Sequence, residues 1–237
     1  MVAYMDLACG HTLCYIQEEL TEGGARHYPQ PDAYVLPLLH AMLGACDLYV
    51  LHAAAVAWND RALLLLGESG AGKTTLSLAL ARSGMSLLGD DLVIVQSTSD
   101  CVVVHPLLLK PKISGNVGAE KRAIDIVRRE RLGTAGVSRI AVLVRLPGTH
   151  GATHEATSVQ PAEALSWILD QGSPLALLRY PDRWIDTASD IASHVPGWLW
   201  TPPYPTPSLM KTIMRQALEI LDINGNQPIP DKTAPHV

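Results

Sequence analysis

The 237-residue chain has little with which to build a metal centre or a disulfide framework. Its four cysteines, Cys9, Cys14, Cys46 and Cys101, are scattered, and no two form a CxxC pair. This argues against a zinc site and suits thiols kept reduced as small core residues. Positive charge is also short: 18 Lys and Arg stand against 23 Asp and Glu, a formal net charge of −5. A general attraction to nucleic acid or anionic lipid is therefore excluded, and neither is expected as a partner. No basic region precedes an apolar one at the start, where Asp6 and His11 interrupt early, so a secretory leader is not expected and a cytoplasmic location is. There is no internal repeat. One run, Leu36 to Trp58, is apolar and long enough to span a bilayer. It holds His40, Asp47 and His52, whose burial in lipid would be costly, and a buried helix followed by a strand is the better reading.

What is present is apolar content of 48%, enough for a full core. One domain over residues 1–223 is the simplest organisation, followed by a polar, proline-rich tail, 224–237, expected to be disordered.

The rest can be placed by distance from Gly67 to Thr74, GESGAGKT. This is the Walker A or P-loop pattern, in which a glycine-rich turn presents backbone N–H groups to phosphate oxygens, a lysine pairs with the outer phosphates and a hydroxyl holds Mg²⁺. Gly67, Gly70 and Gly72 leave room for the backbone to approach an anion. Glu68, Ser69 and Ala71 complete the turn, and Lys73, Thr74 and Thr75 lead out of it. Ala62 to Leu66 is an apolar run of strand length, and Thr75 to Arg82 reads as a helix closed by Gly84, so its N-terminal dipole faces the phosphates. ATP and Mg²⁺ are the implied cofactors.

In chain order, Ala3 to Ile16 reads as strand interrupted at Gly10, Thr21 to Asp32 as loop, and Ala33 to Ala45 as helix. Tyr49 to Trp58, the dipeptide Asn59-Asp60 and Arg61 to Leu66 predict a hairpin leading into the phosphate loop. Beyond the loop helix, MSLLGDD ends in Asp90 and Asp91, and LVIVQ continues as strand. An acidic pair there can supply one carboxylate for Mg²⁺ and one to accept a proton, or can be a solvated turn. Cys101 to Leu109 and Arg139 to Leu146 read as strands, and Ala119 to Leu132 and Pro161 to Asp170 as helices. The basic residues of 119–132 are interleaved with acids, as on a solvated face. His150 and His154, four apart in a Gly/Thr loop, lack a third ligand. Pro181 to Pro207, with Trp184, Trp198 and Trp200 among prolines, predicts an irregular lid or packing segment, or a peptide-docking groove. A helix is expected over 208–222.

The order LHAAAVAW, GESGAGKT, LLGDDLVIV, with the acidic pair directly after the loop's own helix, resembles the HPr kinase/phosphorylase family over Tyr49 to Leu109. The fold this implies is α/β: a P-loop kinase core of HPr kinase/PEP carboxykinase type, a mixed β-sheet with flanking helices. The resemblance makes Asp90 the residue that takes the proton from a substrate serine, His52 its support, and Lys73 and Thr74 the loop lysine and Mg²⁺ hydroxyl. Asp91 becomes a second acidic residue on or near the metal. The E-x-R-G element of the family is absent, so no catalytic arginine is assigned; Arg122, Arg128 and Arg139 are candidates. Short, stand-alone relatives look like kinases of ribosomally made peptides, which implies ATP-dependent phosphorylation of a serine on a peptide or small protein, such as the C-terminal serine of a lasso peptide precursor. A small-alcohol kinase and a nucleotide-dependent binding module without transfer are the alternatives. Ring-forming family members imply a homo-oligomer.

Overall fold

The computed structural model describes residues 2–6, 11–15, 19–20, 26–27, 32–107, 112–113, 122–123, 126–148 and 155–221. Two antiparallel pairs come first, β1 (Val2–Asp6) with β2 (His11–Tyr15) and β3 (Glu19–Leu20) with β4 (Arg26–His27). Next are α1 (Asp32–Ala45), β5 (Tyr49–Leu51), β6 (Ala54–Trp58), β7 (Arg61–Leu66), α2 (Lys73–Arg82), β8 (Ser86–Gly89), β9 (Val93–Ser97) and β10 (Val102–His105). A small pair, β11 (Lys112–Ile113) with β12 (Arg122–Ala123), precedes α3 (Ile126–Glu130). The chain continues through β13 (Ser138–Arg145), β14 (Ala156–Val159), α4 (Pro161–Gln171), α5 (Pro174–Arg179), α6 (Pro181–His194), β15 (Gly197–Trp200) and α7 (Met210–Ile220).

A single mixed sheet organises these elements, in the order β5-β9-β10-β13-β7-β6-β8, with β15 parallel to β13 and β14 antiparallel to β15. Strands β7, β13 and β15 are parallel, so their C-terminal ends emerge together, the place where ligands bind in open α/β sheets. Ala62 to Leu66 of β7 are all buried. Leu63 and Leu65 belong to one core cluster with Leu76 and Leu80 of α2 and Ile213 and Met214 of α7, while Leu64 and Leu66 belong to another with Trp167 of α4 and Trp184 and Ile191 of α6. A strand covered on both faces reads as an unbroken apolar run, which is why RALLLL shows no alternation. Each such leucine contributes about 1.5–3 kcal/mol by leaving water.

The predicted hairpin is present. Strands β6 and β7 pair from Trp58 opposite Arg61, and Asn59 and Asp60 take φ of 48° and 60°. That left-handed pair is the two-residue turn whose twist matches a hairpin, and Asn and Asp tolerate it. Helix α1, helix α4 and β13 also lie where the pattern places them. Among the described residues no helix is long and apolar enough to cross a membrane.

Four expectations are corrected. Tyr49 to Trp58 is not one strand: it breaks at His52 and Ala53 into β5 and β6. Pro181 to Pro207 is largely regular, forming α6 and β15. Pro181 occupies the first turn of α6, where proline loses no hydrogen bond, and the buried Trp184, Ala188 and Ile191 recur at helical spacing. Among the described residues of Ala119 to Leu132, Ile126–Glu130 are helical, while Arg122 and Ala123 give their backbone to a ladder with Lys112 and Ile113. Of the strand read over Cys101 to Leu109, Val102–His105 are strand among the described residues. The tail 224–237, His150, His154 and Cys9 lie outside the described residues.

Candidate active site

The break in the first long strand creates the site. Leu51 faces Val93 in the β5–β9 pair and Ala55 faces Gly89 in the β6–β8 pair, four residues further along one strand and four back along the other. The two pairs are thus one antiparallel ladder interrupted at its middle, and the sheet curls so that both halves keep this register. In the gap, Ala53 N donates to Leu51 O at 3.0 Å, closing a tight turn centred on His52. On the opposing strand, Asp90 and Asp91 occupy the gap, Asp91 with φ of 72°.

The phosphate loop leaves the adjacent strand. Gly67, Gly70 and Gly72 have φ of 143°, 91° and 96°. A Cβ on Gly67 would stand 2.7 Å from Leu146 O, whereas one on Gly70 would meet nothing within 4 Å. Lys73 is buried, and its Nζ donates to Gly67 O at 2.6 Å and Glu68 O at 3.1 Å, bracing the turn from within. Glu68, Ser69, Gly70 and Thr75 are exposed, Ala71 is buried, and Gly72 and Thr74 are half-buried. Helix α2 begins at Lys73, two residues before the Thr75 start read from the sequence.

Asp90 follows the last residue of β8 and is only 2% exposed. Its Oδ2 accepts from Thr74 Oγ1 at 3.2 Å, and its Oδ1 is buried with no hydrogen-bond partner among the described residues. Burial pushes this carboxyl above the ordinary carboxylate range, with a smaller push from the charge of Asp91; the Thr74 and Ser77 hydroxyls and the Lys73 ammonium oppose the shift without cancelling it. A solvated turn is therefore not what the structure shows at Asp90, although Asp91 is exposed.

His52 lies with Asp91, not Asp90: Nε2 is 3.1 Å from Asp91 Oδ1. This departs from the support of Asp90 that the resemblance implies. The reason is the seam, since Asp90 turns into the core toward α2 while the left-handed backbone of Asp91 turns its carboxylate outward to the kink at His52.

Two residues not singled out in the sequence join this group. Gln171, the last residue of α4, places its side-chain amide 3.2 Å from Gly67 O and 3.0 Å from His52 O, two obligate acceptors for its two hydrogens, so the nitrogen end belongs there, 3.1 Å from His52 Nδ1. Arg145 ends β13 level with Leu66, and its guanidinium lies 5.6 Å from the Trp167 ring centroid. Together with Glu68 to Ala71 and Leu146 to Gly148 it lines a cleft of about 350 Å³. A cation ending a strand beside the loop strand was a readable signal for Arg145. Gln171 had none, because only the packing of α4 brings it to the loop.

The candidate arginines lie elsewhere. Arg139 is at the opposite end of β13, opposite Arg61, with its N bonded to Asp60 O of the hairpin turn. Arg128 is exposed on α3, whose Glu130 pairs with Arg82 in the last turn of α2, away from the loop. The Arg122 side chain is outside the described residues. A second cleft, about 180 Å³, is lined by Cys101, Arg139, Asp190 and His194 and shares no residue with the loop.

Among the described residues, no three His, Cys, Asp or Glu side chains gather as a protein-only metal cage. Mg²⁺ seldom uses one; it takes one or two carboxylates with phosphate oxygens and water. Thr74, Asp90 and Asp91 carry hard oxygen donors of the kind this role uses, with Asp90 turned to Thr74 and Asp91 to His52.

No protein-family model matches the chain, and no curated protein is significantly similar to it. Among solved structures it is similar to the Hpr(Ser) kinase/phosphatase from Coxiella burnetii, at 16% identity and a TM-score of 0.39, over 73% of this chain and 98% of that one. So low a TM-score does not establish a common fold.

Proposed function

We propose that the chain is an ATP- and Mg²⁺-dependent serine kinase of HPr kinase type acting on a peptide or small protein, in the cytoplasm. One observation carries the reading: a buried carboxylate, Asp90, with one oxygen unpartnered among the described residues and a weakened acidity, hydrogen-bonded to Thr74 of the phosphate loop. A solvated turn has no need of such a group, and phosphoryl transfer to a weakly acidic hydroxyl needs a placed base.

In this reading Asp90 takes the proton of the acceptor hydroxyl as that oxygen bonds to phosphorus and the bond to the leaving phosphate breaks. MgATP supplies the phosphoryl group and departs as MgADP. The loop amides from Glu68 to Thr75 and the Lys73 ammonium hold the phosphates, Thr74 and Asp91 bind the cation, and His52 holds Asp91 in place. Arg145, which lines the cleft together with Ser69 and Gly70, adds the second positive charge that the missing arginine motif leaves unassigned. The remaining work is positioning and electrostatics, with no covalent intermediate on the protein.

The test is mass spectrometry of peptides bearing serine internally or at the C-terminus, and of HPr, after incubation with ATP and Mg²⁺, with Asp90→Asn as control. The C-terminal serine of a lasso peptide precursor is the first acceptor to try. Phosphate on one class, lost in the variant, supports the reading. Transfer to free serine or other small alcohols alone points to a small-molecule kinase, and ATP loss without any phosphorylated acceptor overturns transfer altogether.

A further inference from the structure

We propose that Gln171 is a positioning residue: its amide nitrogen faces Nδ1 of His52 and excludes a hydrogen there, which places the ring hydrogen on Nε2 and directs it to Asp91. The role in transfer rests on the kinase reading above; the hydrogen placement does not.

The geometry leaves little choice. The Gln171 amide faces Gly67 O at 3.2 Å and His52 O at 3.0 Å, both obligate acceptors, so its nitrogen points at the loop and the kink. That same nitrogen is 3.1 Å from His52 Nδ1, where a hydrogen on the ring would set donor against donor. With Nδ1 bare, the hydrogen sits on Nε2, 3.1 Å from Asp91 Oδ1. A second contact fixes Gln171 itself, because His52 N donates to Gln171 O at 2.8 Å. Behind it Gly172 is packed so closely that a Cβ would be 2.5 Å from the Trp184 ring, and Ser173 N donates to Val50 O at 3.2 Å. The end of α4 is thereby pinned to the strand end carrying His52, and one side chain joins the phosphate loop to the imidazole. A residue on a neighbouring element that sets the tautomer of a ligand-holding histidine is a recurrent device, and its loss lowers activity by about 10- to 100-fold.

The experiment is two-dimensional NMR of the full chain with ¹⁵N-labelled histidine at about pH 8, above the ordinary histidine range. The His52 resonance is identified by its loss in His52→Gln. In the wild type, Nε2 should show the hydrogen-bearing shift and Nδ1 the bare one. Gln171→Glu has the same shape but offers an acceptor, and should move the hydrogen to Nδ1; Gln171→Leu should leave a mixture. Circular dichroism checks the fold of each, and the near-isosteric Glu variant keeps the test alive if Leu fails to fold. On the accepted peptide, both variants should lose kcat by about 10- to 100-fold with little change in KM for ATP. A wild-type hydrogen on Nδ1, or a tautomer unchanged in both variants, overturns the proposal. The expected tautomers in a protein that transfers no phosphate would leave Gln171 as the positioning residue and reject the kinase reading alone.

Discussion

Thr74 Oγ1 donates to Asp90 Oδ2 across 3.2 Å, tying the first turn of α2 to the end of β8. The hydroxyl that the loop pattern gives to a cation is thus turned to the carboxylate that would serve as base. The hydroxyl oxygen keeps lone pairs with which it could bind a cation while still donating to Asp90, so Thr74→Val should do two things at once. It should weaken Mg²⁺-dependent nucleotide binding, read by calorimetry, while costing the ligand-free protein about 1–3 kcal/mol of stability by leaving the buried Asp90 oxygen without its donor. A variant that bound MgATP as tightly as the wild type would remove Thr74 from the cation site.

In the proposed reading, Asp90 trades stability for chemistry. Its carboxyl is held above its ordinary value of 3.8, so the folded state keeps the proton to higher pH than the unfolded chain does. The contribution to stability is full below that ordinary value and is lost as pH rises through the raised one. Asp90→Asn, neutral throughout, should therefore melt higher than the wild type once pH exceeds this window, and the difference should vanish in acid. Transfer should run the opposite way: the wild-type rate rises with pH over the same window as the base ionises, and the variant should bind ATP yet lose at least about a hundredfold in kcat. Thermal unfolding across pH, set beside the rate profile, checks both directions.

Much of this site was legible because local chemistry and chain order agree. The three loop glycines, the apolar β7 before them and the acidic pair one helix later follow from patterns that need no tertiary information. The Asn59-Asp60 turn was legible for the same reason. The unread parts are those decided by packing at a distance. Nothing in LHAAAVAW says that His52 will sit on a kink, because the kink arises when the backbone at 51–52 leaves β9 to bond with the end of α4. The partnership of His52 with Asp91 follows from that bend. Helix α6 was obscured differently: its prolines and tryptophans drew the eye to composition, while its period of Trp184, Ala188 and Ile191 carried the structure.

The two loop glycines make a paired prediction. At Gly67 a side chain meets both a φ of 143° and the Leu146 carbonyl at 2.7 Å, so Gly67→Ala should lower stability by about 1–3 kcal/mol as well as abolish nucleotide binding. At Gly70 a Cβ points into open space, and the cost in the ligand-free protein is the φ of 91° alone. Gly70→Ala should then unfold nearer to the wild type than Gly67→Ala, with binding still impaired where the backbone approaches phosphate. Equal losses of melting temperature in the two variants would contradict the placement of Gly67 under Leu146.

The arginines give the most direct comparison. Arg145 and Arg139 sit on one strand, six positions apart, at opposite ends of β13, and only Arg145 lines the cleft beside Ser69 and Gly70. A cation positioned to stabilise charge on transferring phosphate is commonly worth about two to three orders of magnitude in rate, because that charge develops where water is excluded. Arg145→Ala should therefore lower kcat on the accepted peptide by about a hundredfold, and Arg145→Lys should recover part of it, since the charge returns without the planar group that lies over Trp167. Arg139→Ala, at the hairpin end, should leave kcat within about twofold of the wild type. If Arg139→Ala proved the more damaging, phosphate would be read at the far end of the strand, and the cleft beside the loop would lose its claim as the site of transfer.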